Sequence, residues 1–200
     1  MLKNILKNNP GICLSVIACI IIGICMGAFT VNNLNAVQVE ELSNYLSGFT
    51  EIYKNQSVAA GNLFLISLGK NFKYLLLIFI AGMTIIGLPV IYILCAARSF
   101  ISGFTMGVFI GAFGSKGMLI CVLTLLPTDL LRLSAFMFLS INAVIFSVRI
   151  FKLLARKGFD ISFKNSLLIF LRATFISAVL LFAGVLFETL LTPVLLRLIL

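Results

Sequence analysis

The 200-residue sequence contains no histidine, and only six aspartates and glutamates stand against fifteen lysines and arginines. Without histidine there is no HExxH zinc-protease site, no Ser-His or Cys-His nucleophile pair and no histidine ligand for haem. An intramembrane aspartyl enzyme needs two apposed carboxylates, and of Asp129 and Asp160 the second sits in a basic stretch. Five cysteines, at 13, 19, 25, 95 and 121, form no CxxC pair, and an odd number cannot all be joined within one chain. They read as small apolar residues facing core or lipid. No Walker motif is present, so any transport role needs a separate energising partner. Neither catalysis nor a cofactor is expected.

Charge as a whole is scarce. Charged residues make up 10% and apolar ones 62%, against roughly 25% and 45–50% in a globular chain. Twenty-one charges cannot cover the surface of a soluble domain of this length, so lipid covers much of it. The net charge of +9 raises nucleic acid as a partner. The bases fall mostly between apolar runs and no nucleic-acid motif accompanies them, so they read as topology signals and no nucleic-acid partner is expected.

A spanning helix needs about 20 apolar residues. Runs that qualify lie at about 11–31, 72–97, 99–115, 118–148 and 166–191, which predicts a single all-α, polytopic membrane domain with about five transmembrane helices. Val16-Ile17-Ala18-Cys19 resembles a lipoprotein cleavage box, but the apolar run continues for twelve residues beyond it, so an uncleaved anchor is expected. Gly87 and Pro89 predict a kink within the second run. Pro127, Asp129 and Arg132 interrupt the fourth run, which reads as one kinked helix or as a half-helix followed by a full one, making six. Lys3 and Lys7, Arg98, and the basic 149–164 loop fall on one side if five spans start from a cytoplasmic N-terminus. Residues 32–70 then lie outside, and Arg98 reads as snorkelling to the cytoplasmic boundary.

That outer segment holds an amphipathic helix. Leu42, Tyr45, Leu46, Phe49, Ile52 and Tyr53 recur at three- and four-residue spacing, with Glu40, Glu41 and Glu51 between them. Helices that lie on a bilayer usually carry Lys or Arg on the polar face, so these six residues are a candidate surface for a protein partner. Residues 58–72 read as an elbow helix or as part of a longer tilted span. Ser99, Gly103, Gly107 and Gly111 stand four residues apart, which predicts a close helix seam within the subunit or between copies of a homo-oligomer. Asp129 has Arg132 three residues on and Arg172 as another candidate partner; such intramembrane charges mark a pathway or a structural lock.

Residues 71–147 carry Gly82, Gly87-Leu88-Pro89, Arg98-Ser99-Phe100 with Gly103-Phe104, Gly114-Ser115-Lys116-Gly117, and Leu126-Pro127 followed by Asp129. With these motifs the stretch resembles the stage II sporulation protein M (SpoIIM) family of endospore-forming bacteria. Family members often have glycine where this chain has Ser99. The resemblance implies a multi-pass protein of the mother-cell membrane that acts at the sporulation septum during engulfment. Its implied role is to anchor two peptidoglycan-degrading partners, a SpoIIP-like amidase and a SpoIID-like lytic transglycosylase. Wider relatives resemble membrane subunits of exporters, which gives a permease as the alternative expectation.

Overall fold

A computed structural model describes residues 9–55, 60–84, 86–156 and 162–199, and among these there is helix and turn but no strand. The helices are α1 (Pro10–Asn32), α2 (Ala36–Asn55), α3 (Ala60–Gly82), α4 (Gly87–Ile120), a π-helical turn (Cys121–Leu125), α5 (Leu126–Arg156) and α6 (Ser162–Ile199). Four apolar stretches are long enough to cross a bilayer. One of them, Gly87–Leu153, is 67 residues long and reverses direction at Gly114, so the described residues form five apolar limbs long enough to cross.

The reversal is at Gly114, where φ is 55° and ψ is −125°. An L side chain rarely adopts that backbone geometry, and glycine does so freely. Beyond it the chain runs back along its own first limb: the Cys121 Sγ lies 3.5 Å from the Met106 carbonyl oxygen. A Cβ on Gly117 would sit 1.9 Å from the Phe109 carbonyl oxygen. Nothing lies within 4 Å of a Cβ on Gly114, so Gly114→Ala isolates the backbone cost. That variant is expected to lose about 1–3 kcal/mol, read as a lower melting temperature in detergent, with Gly111→Ala as the unaffected control.

The pass boundaries differ from the apolar runs. The run at 72–97 is broken at residues 83–86, and the expected kink at Gly87 and Pro89 is a full chain reversal. A Cβ on Gly87 would lie 1.6 Å from the Ala81 carbonyl oxygen, so only glycine closes this turn. Pro89 falls in the first turn of α4, where its missing N–H costs no helical bond. Ser147 on α5 ties the turn down by donating to the Thr84 carbonyl at 2.9 Å. Residues 60–72 are not a separate elbow: α3 continues through them to Gly82.

The fourth run is one pass. The π turn just before Pro127 widens the helix where the proline ring would clash with the carbonyl four residues back. Thr128 Oγ1 donates to the carbonyls of Thr124 and Leu125 at 3.1 and 2.9 Å, partly replacing the lost backbone bond.

α5 is the central helix. From Ala135 to Ser147 only Met137 and Ile145 are less than fully buried, which explains a segment apolar on every side. The main core joins α3, α4, α5 and α6 through Leu75, Ile78, Ile91, Phe136, Leu139 and Phe170. Phe170 stacks on Phe79 and Phe146 with ring centroids 5.3 and 4.9 Å apart. α1 packs parallel to the first limb of α4: Gly23 meets Ala96 and Ser99, and Gly27 meets Phe100 and Phe104. The end where α1 begins also holds the 83–86 turn and exposed Arg149, Lys152 and Lys164. The opposite, distal end holds Gly114 and α2.

Candidate functional site

Halfway along the bundle a chain of polar side chains crosses four helices. Arg98 lies eleven residues into α4, about 16 Å from the 83–86 turn and roughly 24 Å from Gly114 by helical rise. It is therefore mid-bundle and does not snorkel to the boundary. The sequence signal misleads here because a charge in an apolar run usually marks an interface, whereas α4 continues unbroken through Arg98. Its guanidinium donates to Asn71 Oδ1 and Ser102 Oγ, both at 3.4 Å, and its Cζ stands 5.7 Å from the centre of the Phe136 ring. Among the described residues no carboxylate lies within 4 Å of it.

Asn71 in turn donates to the backbone oxygen of Ser67 at 2.8 Å, and Ser67 Oγ donates to Glu188 Oε2. Arg132 completes the chain. Its Nη2 is 2.9 Å from Asp129 Oδ1, and its Nη1 is 3.1 Å from Glu188 Oε2. Asp129 and Arg132 are buried, 6% and 7% exposed. Gly184, one turn before Glu188, makes room for the arginine: a Cβ there would come 3.2 Å from Arg132 Cγ. An ionised side chain at the centre of a spanning helix costs about 2.5–3.5 kcal/mol on insertion. One guanidinium paired with two carboxylates offsets part of that cost at three helical positions and fixes α6 against α5. Chemically this is an ion-pair lock.

Of the candidate charges, Asp129 and Arg132 are brought together. Arg172 is not: it is exposed on α6, and the second partner in the cluster is Glu188. Glu188, Ser67 and Asn71 escape sequence reasoning. The one usable signal is that Glu188 is the sole acid in the last apolar run and follows Gly184 by four residues.

Ser99, Gly103 and Gly107 line the crossing of α1 and α4 within the chain. Cβ atoms on Gly103 and Gly107 would lie 2.1 Å from the Ile24 carbonyl oxygen and 2.9 Å from Val31 Cγ2. Gly111 is at the open end of that seam, with Val31 Cγ1 at 3.9 Å.

α2 splits the candidate partner surface. Leu46 is buried and Leu42 half-buried, both packed with Val108, Phe109, Ile120 and Cys121. These two leucines are therefore occupied by the bundle, because the amphipathic face covers the apolar end of the α4 hairpin. Tyr45 remains 74% exposed, and Glu40 and Glu41 are exposed beside it. The side chains of Phe49, Ile52 and Tyr53 lie outside the described residues, as do residues 1–8, which include Lys3 and Lys7.

No curated protein and no solved structure matches the chain. A model of the family Stage II sporulation protein M (SpoIIM) matches residues 16–193, which takes in α2 to α5, most of α1 and α6, and every member of the polar cluster. The match covers nearly the whole sequence, and the chain thus belongs to the SpoIIM family of sporulation proteins.

Proposed function

We propose that the protein is a non-enzymatic scaffold of the engulfment machinery in the mother-cell membrane. It holds peptidoglycan-degrading enzymes, resembling a SpoIIP amidase and a SpoIID lytic transglycosylase, at the sporulation septum. One observation carries this reading: α2 is pinned to the distal end of the bundle by Leu42 and Leu46 while Glu40, Glu41 and Tyr45 stay exposed. The positive-inside rule puts the Arg149, Lys152 and Lys164 end in the cytoplasm. α2 is then on the wall side, at the membrane surface.

The test is to unpin α2. Leu42→Ser with Leu46→Ser is expected to leave the protein inserted, while fluorescent fusions of the wall enzymes lose their septal focus. Normal foci with an expressed, inserted variant would end the scaffold reading.

The polar chain from Arg98 to Asp129 favours a second reading, a permease subunit driven by a separate ATP-hydrolysing partner. Asp129→Asn separates the two. A scaffold keeps its enzymes at the septum, whereas a permease loses function in an assembled complex that co-purifies with an ATPase.

A further inference from the structure

We propose that the outward stripe of α2, formed by Val37, Glu40, Glu41 and Tyr45, binds a protein surface in which lysines or arginines surround an apolar pocket. This deepens the scaffold reading and rests on it for the location of α2 outside the membrane.

The stripe is distinct from the face that docks α2. Leu42 and Leu46 pack into the bundle, and Val39 lines a small groove with Leu42, Val31, Val108 and Ala112. Val37, Glu41 and Tyr45 follow one another at four-residue spacing along a different side, where residues four apart are neighbours. Val37 is 67% exposed and Tyr45 74% exposed. Neither is needed to hold the helix in place. Glu40 and Glu41 flank them, and among the described residues neither forms an ion pair.

Charge selects the occupant. An anionic lipid headgroup layer attracts basic amphipathic helices and repels this one. A second copy docking by the same stripe would place glutamate against glutamate, because a two-fold contact is self-complementary. A cationic protein surface is the remaining match: the aromatic ring fills a desolvated pocket, and the carboxylates form the charged rim. Rim charges of this type steer association and weaken with salt.

The experiment places a photo-crosslinking amino acid at Tyr45 in the full-length protein in sporulating cells and sequences the captured peptide. The expected adduct is a protein segment rich in lysine and arginine. Adding Glu40→Lys and Glu41→Lys is expected to cut its yield about tenfold, with membrane insertion and melting temperature unchanged. An adduct on lipid, an adduct on a second copy, no adduct, or a yield indifferent to the charge reversal would each overturn the proposal. A parallel probe at Lys116, elsewhere on the distal end, separates this outcome from the fate of the scaffold reading. Capture of a wall enzyme at Lys116 but not at Tyr45 sinks the stripe alone. A charge-dependent adduct at Tyr45 on a basic protein unrelated to the wall keeps the stripe and sinks the scaffold.

Discussion

Arg132→Met is expected to destabilise the bundle by about 3–5 kcal/mol, because it leaves buried Asp129 and half-buried Glu188 without their shared counter-charge. For a chain of this length that corresponds to a melting temperature lower by roughly 10 °C in detergent. Arg132→Lys is expected to fall between the two, since one ammonium cannot present two arms to two carboxylates on different helices. The decisive comparison is the triple variant Arg132→Met, Asp129→Leu, Glu188→Leu. If the cluster is a lock whose strength lies in mutual neutralisation, replacing all three charges with apolar groups restores most of the stability, because packing substitutes for the ion pairs. A triple variant as unstable as Arg132→Met would refute that account. The same variant bears on function: a bundle without these three charges that still passes the recruitment test of the proposed scaffold has no use for them as a polar route through its centre.

How much of this was legible beforehand depended on the range of the interaction. The all-helical, membrane-spanning class followed from uninterrupted apolar runs, since lipid tolerates little else. The presence of several long apolar helices is readable too, but their partition is not, because a run that stays apolar on both sides of a turn does not register the turn. Gly87-Leu88-Pro89 was visible as a disturbance. What makes it a reversal is the Ala81 carbonyl lying where a Cβ would go, a contact the spacing does not encode. The four-residue spacing from Ser99 to Gly107 is readable as a seam, but its partner, Gly23 and Gly27 on α1, is identified only by the parallel packing of the two helices. Asp129 and Arg132 are three residues apart, so their pairing was local and visible. Glu188 is 56 residues from Arg132, and its place in the cluster depends on how α6 packs. The amphipathic pattern of α2 was correct as a pattern. It could not say that Leu42 and Leu46 would be spent on the chain's own hairpin and that the neighbouring stripe would be left free.

The seam between α1 and α4 makes a graded prediction that tests this packing directly. Lipid gives helices no hydrophobic reason to associate, so close backbone approach and the dispersion it allows must hold them together. A Cβ on Gly103 would lie 2.1 Å from the Ile24 carbonyl oxygen, and one on Gly27 would lie 2.1 Å from that of Phe100. Both obstacles are backbone, which cannot rotate aside, so the two helices must separate by about an ångström to reach ordinary contact. Gly103→Ala and Gly27→Ala are each expected to cost about 1–3 kcal/mol, and to combine with less than additive loss because one separation relieves both clashes. Gly107→Ala meets the Val31 side chain at 2.9 Å, which can shift, so its effect is smaller. Gly111→Ala gains an ordinary contact at 3.9 Å and is expected to be neutral. Melting temperatures of the four variants should therefore rank Gly111→Ala highest, then Gly107→Ala, then Gly103→Ala and Gly27→Ala together. The yield of a disulfide engineered between α1 and α4 should fall in the same order. Equal loss at Gly111 and Gly103 would mean that the seam is not the contact that holds α1 in place. It would also remove the reason for reading the glycine spacing as an intramolecular joint.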